Sequence, residues 1–224
     1  RKANFPHSAT FLTMMRHAVI FAHPRERSFT GSAALAYAQA AERLGHKVFR
    51  RDLYRIAFDP CLKAAEIPGG DHLPAADVMA ERVMLQDADV FAFFYPLWLN
   101  TPPAMMKGYL ERVFGFGFAY GGGGKSANPL LSGRKLIVFS SSGAPLEWVR
   151  QTGAFDALHT LFDSYFAELC GLTLLDHIHF GNVTPGISQE FVQGRMEDVR
   201  QAVIKYFGAP HEAYENHAGV GQNA

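Results

Sequence analysis

Residues 90–120 read VFAFFYPLWLNTPPAMMKGYLERVFGFGFAY. Val90 to Tyr95 is apolar and aromatic, too short for a buried helix, and reads as a strand covered on both faces. Pro96 stops it. Pro102 and Pro103 suit the first turn of a helix, where the missing N–H would have had no partner. From Ala104 to Phe114 the period is helical, with Met106, Leu110 and Val113 on one face and Lys107, Glu111 and Arg112 towards the other. The intervening turn, Pro96-Leu97-Trp98-Leu99-Asn100-Thr101, is apolar where an idle loop would be polar. An apolar turn at the carboxyl end of a parallel strand is where open α/β sheets bind ligands.

Upstream, Arg16 to Ala22 reads as a central strand. A polar loop, Arg25 to Thr30, follows it, with Ser28 or Thr30 able to cap the next helix. That helix is alanine-rich and runs to about Leu44, with Gly45 as its stop. Lys47 to Asp52 is the second strand, Leu53 to Pro74 an irregular surface excursion, and Ala76 to Ala88 a helix. Downstream, Gly115 to Ser132 has the composition of a mobile loop. Lys135 to Ser140 is the fourth strand, Phe155 to Leu169 a helix, Leu172 to Phe180 the fifth strand and Ser188 to Phe207 the last helix. Alternating strands and helices predict an α/β domain over 15–208 with a five-stranded parallel sheet. An N-terminal extension (1–14) and a flexible tail (209–224) flank it.

The 224 residues are 48% hydrophobic with 21 basic and 21 acidic side chains, enough for one sizeable core. The balance of charge and the lack of a basic run leave no electrostatic footprint for nucleic acid. No apolar run is long enough for membrane insertion. Cys61 and Cys170 have no metal or CxxC spacing and read as buried free thiols in a reducing, cytoplasmic setting. The ten histidines form no HExxH, so no metal site is expected; His159 reads as an ordinary core or surface histidine. Gly121 to Ser126 (GGGGKS) is no P-loop, because Ala119 stands where glycine is needed and Asn128-Pro129 prevents the following helix.

PLW, the downstream proline, MKGYLERVF and GFAY together resemble the signature of the flavodoxin-like NAD(P)H:quinone reductases. HPRERSF near the start and SSGA at Ser141 resemble that family's other flavin loops, and the match spans about Val19 to Phe207. The resemblance implies a flavodoxin-like sheet of order 2-1-3-4-5, helices on both faces, and ligand loops after strands one, three and four. It also implies a flavin cofactor, FAD with FMN as the alternative, NAD(P)H as electron donor, a quinone-like acceptor and a homodimer.

The first loop, His23 to Thr30, runs into a helix N-terminus, whose free N–H groups and dipole attract an anion. Arg25, Arg27, Ser28 and Thr30 add donors, making a flavin-phosphate cradle. An ordinary capped helix start with solvated arginines is the alternative. By resemblance His23, Ser28, Phe29 and Thr30 are the phosphate-contacting positions. In the second loop, Trp98 and Leu99 supply a flat apolar wall for the ring. The backbone of Leu97 to Asn100 supplies N–H donors, and Pro96 opens the turn. In the third, Ser141, Ser142, Gly143 and Ala144 let the backbone approach the ring's far edge. The resemblance places Tyr120 on the substrate side. The family's tyrosine and histidine after the third loop are missing here, and Trp148 is the aromatic that stands in. The reading is a two-electron, ping-pong hydride transfer. A one-electron carrier and a flavoprotein regulatory subunit of a potassium-efflux system are the alternatives. Glu190 and Arg195 could touch an adenine tail or form a solvated helix face.

Overall fold

The computed structural model describes residues 13–69, 72–122 and 128–208. The tail at 209–224, nearly all of the 1–14 extension and the centre of the glycine run lie outside the described residues. Five parallel strands form the main sheet: β1 (Arg16–Phe21), β2 (Lys47–Asp52), β3 (Val90–Pro96), β6 (Lys135–Ser141) and β7 (Thr173–Phe180). Their order is β2-β1-β3-β6-β7, the expected 2-1-3-4-5. The register between β3 and β6 is unbroken from Val90↔Lys135 to Pro96↔Ser141, and all seven residues of β3 are buried. A strand covered on both sides is what its unrelieved apolar run requires.

One face packs under α1 (Phe29–Arg43) and α7 (Gln189–Phe207), with Val19, Ala92, Phe94, Ile137 and Phe139 inward. Ser28 caps α1, accepting a hydrogen bond from the Gly31 N–H at 3.1 Å. Small alanines on α1 let it lie close to the sheet beside Tyr37, which is fully buried. His17 and His46 stitch the amino end of this face. The Tyr37 hydroxyl is 2.9 Å from His17 Nδ1, and His46 Nε2–H donates to the Phe207 carbonyl at 3.1 Å.

The other face carries α2 (Ala76–Leu85), α3 (Ala104–Val113) and a broken helix in three parts: α5 (Ala154–Leu158), a π-helical turn (His159–Ser164) and α6 (Tyr165–Cys170). A single helix was expected from Phe155 to Leu169. The π turn interrupts it, and such bulges gather at functional sites. A short α4 (Leu146–Gln151), not expected, precedes it.

Four further expectations are corrected. Arg112 is not on a solvent face: its side chain is 1% exposed and bonds Glu66 through two contacts of 2.9 and 2.7 Å and Asp77 through 2.7 and 2.9 Å. The stretch from Leu53 to Pro74 is no loose excursion, since Leu53, Phe58 and Glu66 are buried in it. Gly108 admits it to α3, because a Cβ there would lie 2.1 Å from the Pro60 carbonyl oxygen. Cys61 is exposed, whereas Cys170 is buried as expected. Part of the expected mobile loop is ordered: β4 (Tyr120–Gly121) pairs with β5 (Asn128–Pro129), and Ala119 and Leu131 are buried.

Candidate functional site

All five strands of the sheet are parallel, so their carboxyl ends share one rim. Four loops leave that rim and line one cleft of about 260 Å³: His23 to Thr30 after β1, Pro96 to Trp98 after β3, Ser141 to Gly143 after β6, and Val183 to Ile187 after β7. The first three were read from the sequence. The fourth was missed, although Asn182-Val183-Thr184-Pro185-Gly186 is a turn signature directly after the last strand.

The β1 loop supplies the polar end. Arg25, Arg27, Ser28, Phe29 and Thr30 face the cleft at the start of α1, where backbone N–H groups have no intrahelical partner. His23 Nδ1 accepts the Arg25 N–H at 3.1 Å, which folds the loop back on itself. Burial, the largest influence, lowers the His23 pKa. Arg55 donates to the Pro24 carbonyl at 2.5 Å and fixes the loop from the neighbouring segment. This end is built for an anion: helix dipole, free amides and two guanidinium groups converge.

The β3 loop supplies the apolar end. Trp98 and Thr101 exchange two backbone hydrogen bonds of 3.1 and 3.2 Å across a tight turn. Leu99 and Asn100 occupy its centre with φ of 54° and 58°. A leucine in the left-handed region costs about 1–2 kcal/mol, and strain of this kind clusters at ligand sites. Trp98 remains half exposed, its ring 5.9 Å from that of His23. Leu99 is 99% exposed and does not line the cleft within one chain. Two of the four expected backbone donors are already engaged. The Leu97 N–H donates to the Ser141 carbonyl at 2.7 Å and the Trp98 N–H to Thr101, leaving the amides of Leu99 and Asn100.

The third and fourth loops are knitted together. The Ser142 N–H donates to Phe180 and the Val183 N–H to Ser142, both at 2.9 Å, and the Asn182 N–H donates to Ala144. Gly181 makes this approach possible: a Cβ there would lie 2.4 Å from the Leu146 nitrogen. Ala144 lies behind the wall, its carbonyl accepting the Ser142 hydroxyl at 2.9 Å.

Tyr120 and Trp148 are not brought to the rim. Tyr120 lines two other clefts, one with Glu66, His72 and Phe116 and one with Leu110, Leu161 and Tyr165. Trp148, 49% exposed, sits on α4 outside the rim cleft. On α7, Glu190 is exposed and Arg195 pairs with Asp198 at 3.1 Å, a helix-surface arrangement.

Behind the third loop lies a polar cluster the sequence reading did not find. Ser140 on β6, Ser142 just beyond its end, and His177 and His179 on β7 come together, and Asp163 and His159 join them from the π turn. His159 is therefore not an isolated histidine. The donor atoms of His159, Asp163 and His177 converge within 4.8 Å. Their spacings from Asp163 Oδ2, 3.0 Å for His159 and 2.6 Å for His177, are those of hydrogen-bonded pairs. Two ligands of one tetrahedral zinc would stand about 3.3 Å apart.

A flavin nucleotide fits the rim cleft on the donor set present: cationic and amide donors at one end, an indole and a small-residue loop at the other. The sequence is 33% identical over 172 residues to an NAD(P)H oxidoreductase of Haemophilus influenzae, covering 75% of this chain and 85% of that one. To NAD(P)H dehydrogenase [quinone] 1 of Cavia porcellus it is 24% identical over 229 residues, covering 90% and 83%. The fold superposes on an NAD(P)H:quinone oxidoreductase from Methanothermobacter marburgensis with a TM-score of 0.72 at 25% identity, covering 85% of this chain and 96% of that one. With residues 15–219 matched by the family's own sequence model, this chain belongs to the family of the flavodoxin-like fold.

Proposed function

We propose that this protein is a flavin-dependent oxidoreductase that takes hydride from NAD(P)H and passes it to a quinone-type acceptor. The observation that carries the reading is the convergence of four rim loops, anion-binding at one end and aromatic at the other, on a single cleft. The names borne by the relatives agree with it. The flavin, FAD in this reading and FMN in the alternative, supplies reversible two-electron chemistry when bound.

The chain's own residues bind and orient. Arg25, Arg27 and the amides of Phe29 and Thr30 hold the phosphate. Trp98 packs on the ring and excludes water. The Ser141 to Gly143 loop would hold the far ring edge, where the Gly143 N–H and, once turned from Ala144, the Ser142 hydroxyl would favour negative charge. Donor and acceptor use the one cleft in turn, which gives ping-pong kinetics. The same reading makes the protein a cytoplasmic homodimer with Tyr120 and Trp148 on the acceptor side. Leu161 and Tyr165, 63% and 61% exposed beside the Tyr120 cleft, are the apolar surface that supports it.

The test is anaerobic addition of NADH or NADPH to flavin-loaded protein. Loss of the oxidised flavin's absorbance, restored by a quinone, is expected. Absence of bleaching with either nucleotide refutes the proposal. Mass measurement of the released flavin separates FAD from FMN.

A further inference from the structure

We propose that the buried chain Ser142–His179–Ser140–His177–Asp163 is a reversible one-proton donor to whatever occupies the rim cleft, acting through the Ser142 hydroxyl. The proposal rests on the oxidoreductase reading for its use, but its resting protonation pattern stands on the geometry of the chain together with the burial that keeps His179 neutral.

The pattern follows from which atoms can donate. The Ser142 hydroxyl lies 2.9 Å from the Ala144 carbonyl, which can only accept, so the Ser142 proton points there. His179 Nε2, 2.8 Å from the same Ser142 Oγ, must then be the donor. His179 is neutral: burial first, then the charges of His177 and Arg150, hold its pKa down to about 4. Its Nδ1 is therefore bare and accepts the Ser140 hydroxyl proton across 2.7 Å. With that proton committed, Ser140 Oγ accepts from His177 Nε2–H at 2.6 Å. His177 Nδ1 then faces Asp163 Oδ2 at 2.6 Å, and a proton must lie between them as well. The proposal places that proton on Nδ1, so that His177 carries both ring protons against the Asp163 carboxylate. That carboxylate is fully buried, its Oδ1 has no hydrogen-bond partner, and a positive neighbour offsets its charge.

The groups around this pair are few. Tyr95 on β3 has its ring 6.4 Å from that of His177. Phe155 on α5 packs on both histidines, and Arg150 on α4 lies 6.0 Å from the Phe155 ring. His159, its side chain 45% exposed, gives Asp163 Oδ2 a second contact at 3.0 Å.

The transfer balances without another reagent. Ser142 turns from Ala144 into the cleft and gives its proton to an atom of the occupant that has gained negative charge. His179 Nε2–H passes to Ser142 Oγ, the Ser140 proton to His179 Nδ1, and His177 Nε2–H to Ser140 Oγ. Four N–H or O–H bonds break and four form. His177 ends neutral, keeping its Nδ1–H towards Asp163. When the occupant gives up its electron pair in the second half of the cycle, its added proton becomes acidic and returns to Ser142 Oγ, the other three steps run backwards and the chain is reset.

The first measurement is nitrogen-15 NMR of histidine-labelled protein at neutral pH, with and without flavin. His177 protonated on both ring nitrogens and His179 protonated on Nε2 alone are expected in either sample. A neutral His177 overturns the proposal even if flavin never binds, so the result is independent of the function proposed above. In flavin-loaded protein, anaerobic NADH or NADPH should move the His179 proton from Nε2 to Nδ1 and discharge His177. Ser140→Ala should abolish that response and slow reduction about tenfold or more, and Ser140→Thr, which restores a hydroxyl, should recover both. Reduction of Ser140→Ala at the wild-type rate with the wild-type histidine response overturns the relay. So does one equivalent of a transition metal in the purified protein whose removal frees His159 and His177.

Discussion

Replacing Arg112 by methionine should cost this protein more than any surface charge change. The guanidinium is 1% exposed and satisfies Glu66, Asp77 and the Asp59 carbonyl together. Methionine keeps much of the volume but leaves the Glu66 carboxylate, 4% exposed, without its cation. Breaking a buried pair in this one-sided way costs about 3–5 kcal/mol. At about 2–4 °C per kcal/mol for a domain of this size, the melting temperature should fall by roughly 6–20 °C. Urea unfolding followed by circular dichroism measures the loss. Glu66→Gln in the same chain removes the stranded charge, so the double variant should be more stable than Arg112→Met alone. The wild-type pair also has a pH signature. The Arg112 guanidinium holds Glu66 down at about 2, so its stabilisation is complete above about 4.5 and is lost as pH falls towards 2. A loss under about 1 kcal/mol for Arg112→Met, or strictly additive losses in the double variant, would refute the account.

Gly181→Ala drives a Cβ to 2.4 Å from the Leu146 nitrogen and 3.0 Å from the Ala144 oxygen. It should cost about 1–3 kcal/mol in stability and weaken flavin binding about tenfold, read by fluorescence titration. An unchanged flavin affinity would mean the third loop does not touch the ring. Flavin should quench the fluorescence of Trp98 and leave most of that of Trp148. Quenching therefore persists in Trp148→Phe and is largely lost in Trp98→Phe; the reverse result places the ring elsewhere. His17 is held at about 3 by burial, with the charges of His46 and Lys135 adding to it. The unfolded chain takes up this proton near pH 6.5 and the folded one does not, so stability should fall as pH drops from 6.5 towards 3. The slope is about 1.4 kcal/mol per unit, or roughly 2 kcal/mol at pH 5. His17→Gln should flatten it in urea titrations at pH 7 and pH 5.

The sheet was legible because its signals are local. An unbroken apolar run too short for a buried helix reads as a strand covered on both sides, and a serine or threonine before an alanine-rich segment reads as its cap. The rim loops followed from the strand order. What was missed depends on partners distant in sequence. Arg112 lies 46 residues from Glu66, and a helical period gives the direction of a side chain without saying what meets it. The stretch MKGYLERVF, read by resemblance beside a flavin loop, acts here largely as a dock for residues 53–69 and for α2. Gly108 admits Pro60, the Tyr109 hydroxyl bonds Glu81 at 2.8 Å, and Arg112 holds Glu66. His177 and His179 stand two apart on a strand, so their common face could have been seen. Their meeting with Ser140 needs the β6–β7 register, which shifts at Leu136/Ile137 and carries no sequence mark. Tyr120 was placed by resemblance alone, and among the described residues of one chain it does not line the rim cleft.

The π turn at His159–Ser164 has a genealogical consequence. Such a turn amounts to one residue inserted into an ordinary helix. Deleting that residue would swing Asp163 by about 100° around the axis and part it from His177 while barely disturbing the chain on either side. Descendants that kept or discarded the aspartate's contact should therefore differ by a single-letter gap between Leu158 and Tyr165, visible in any alignment before a structure is known.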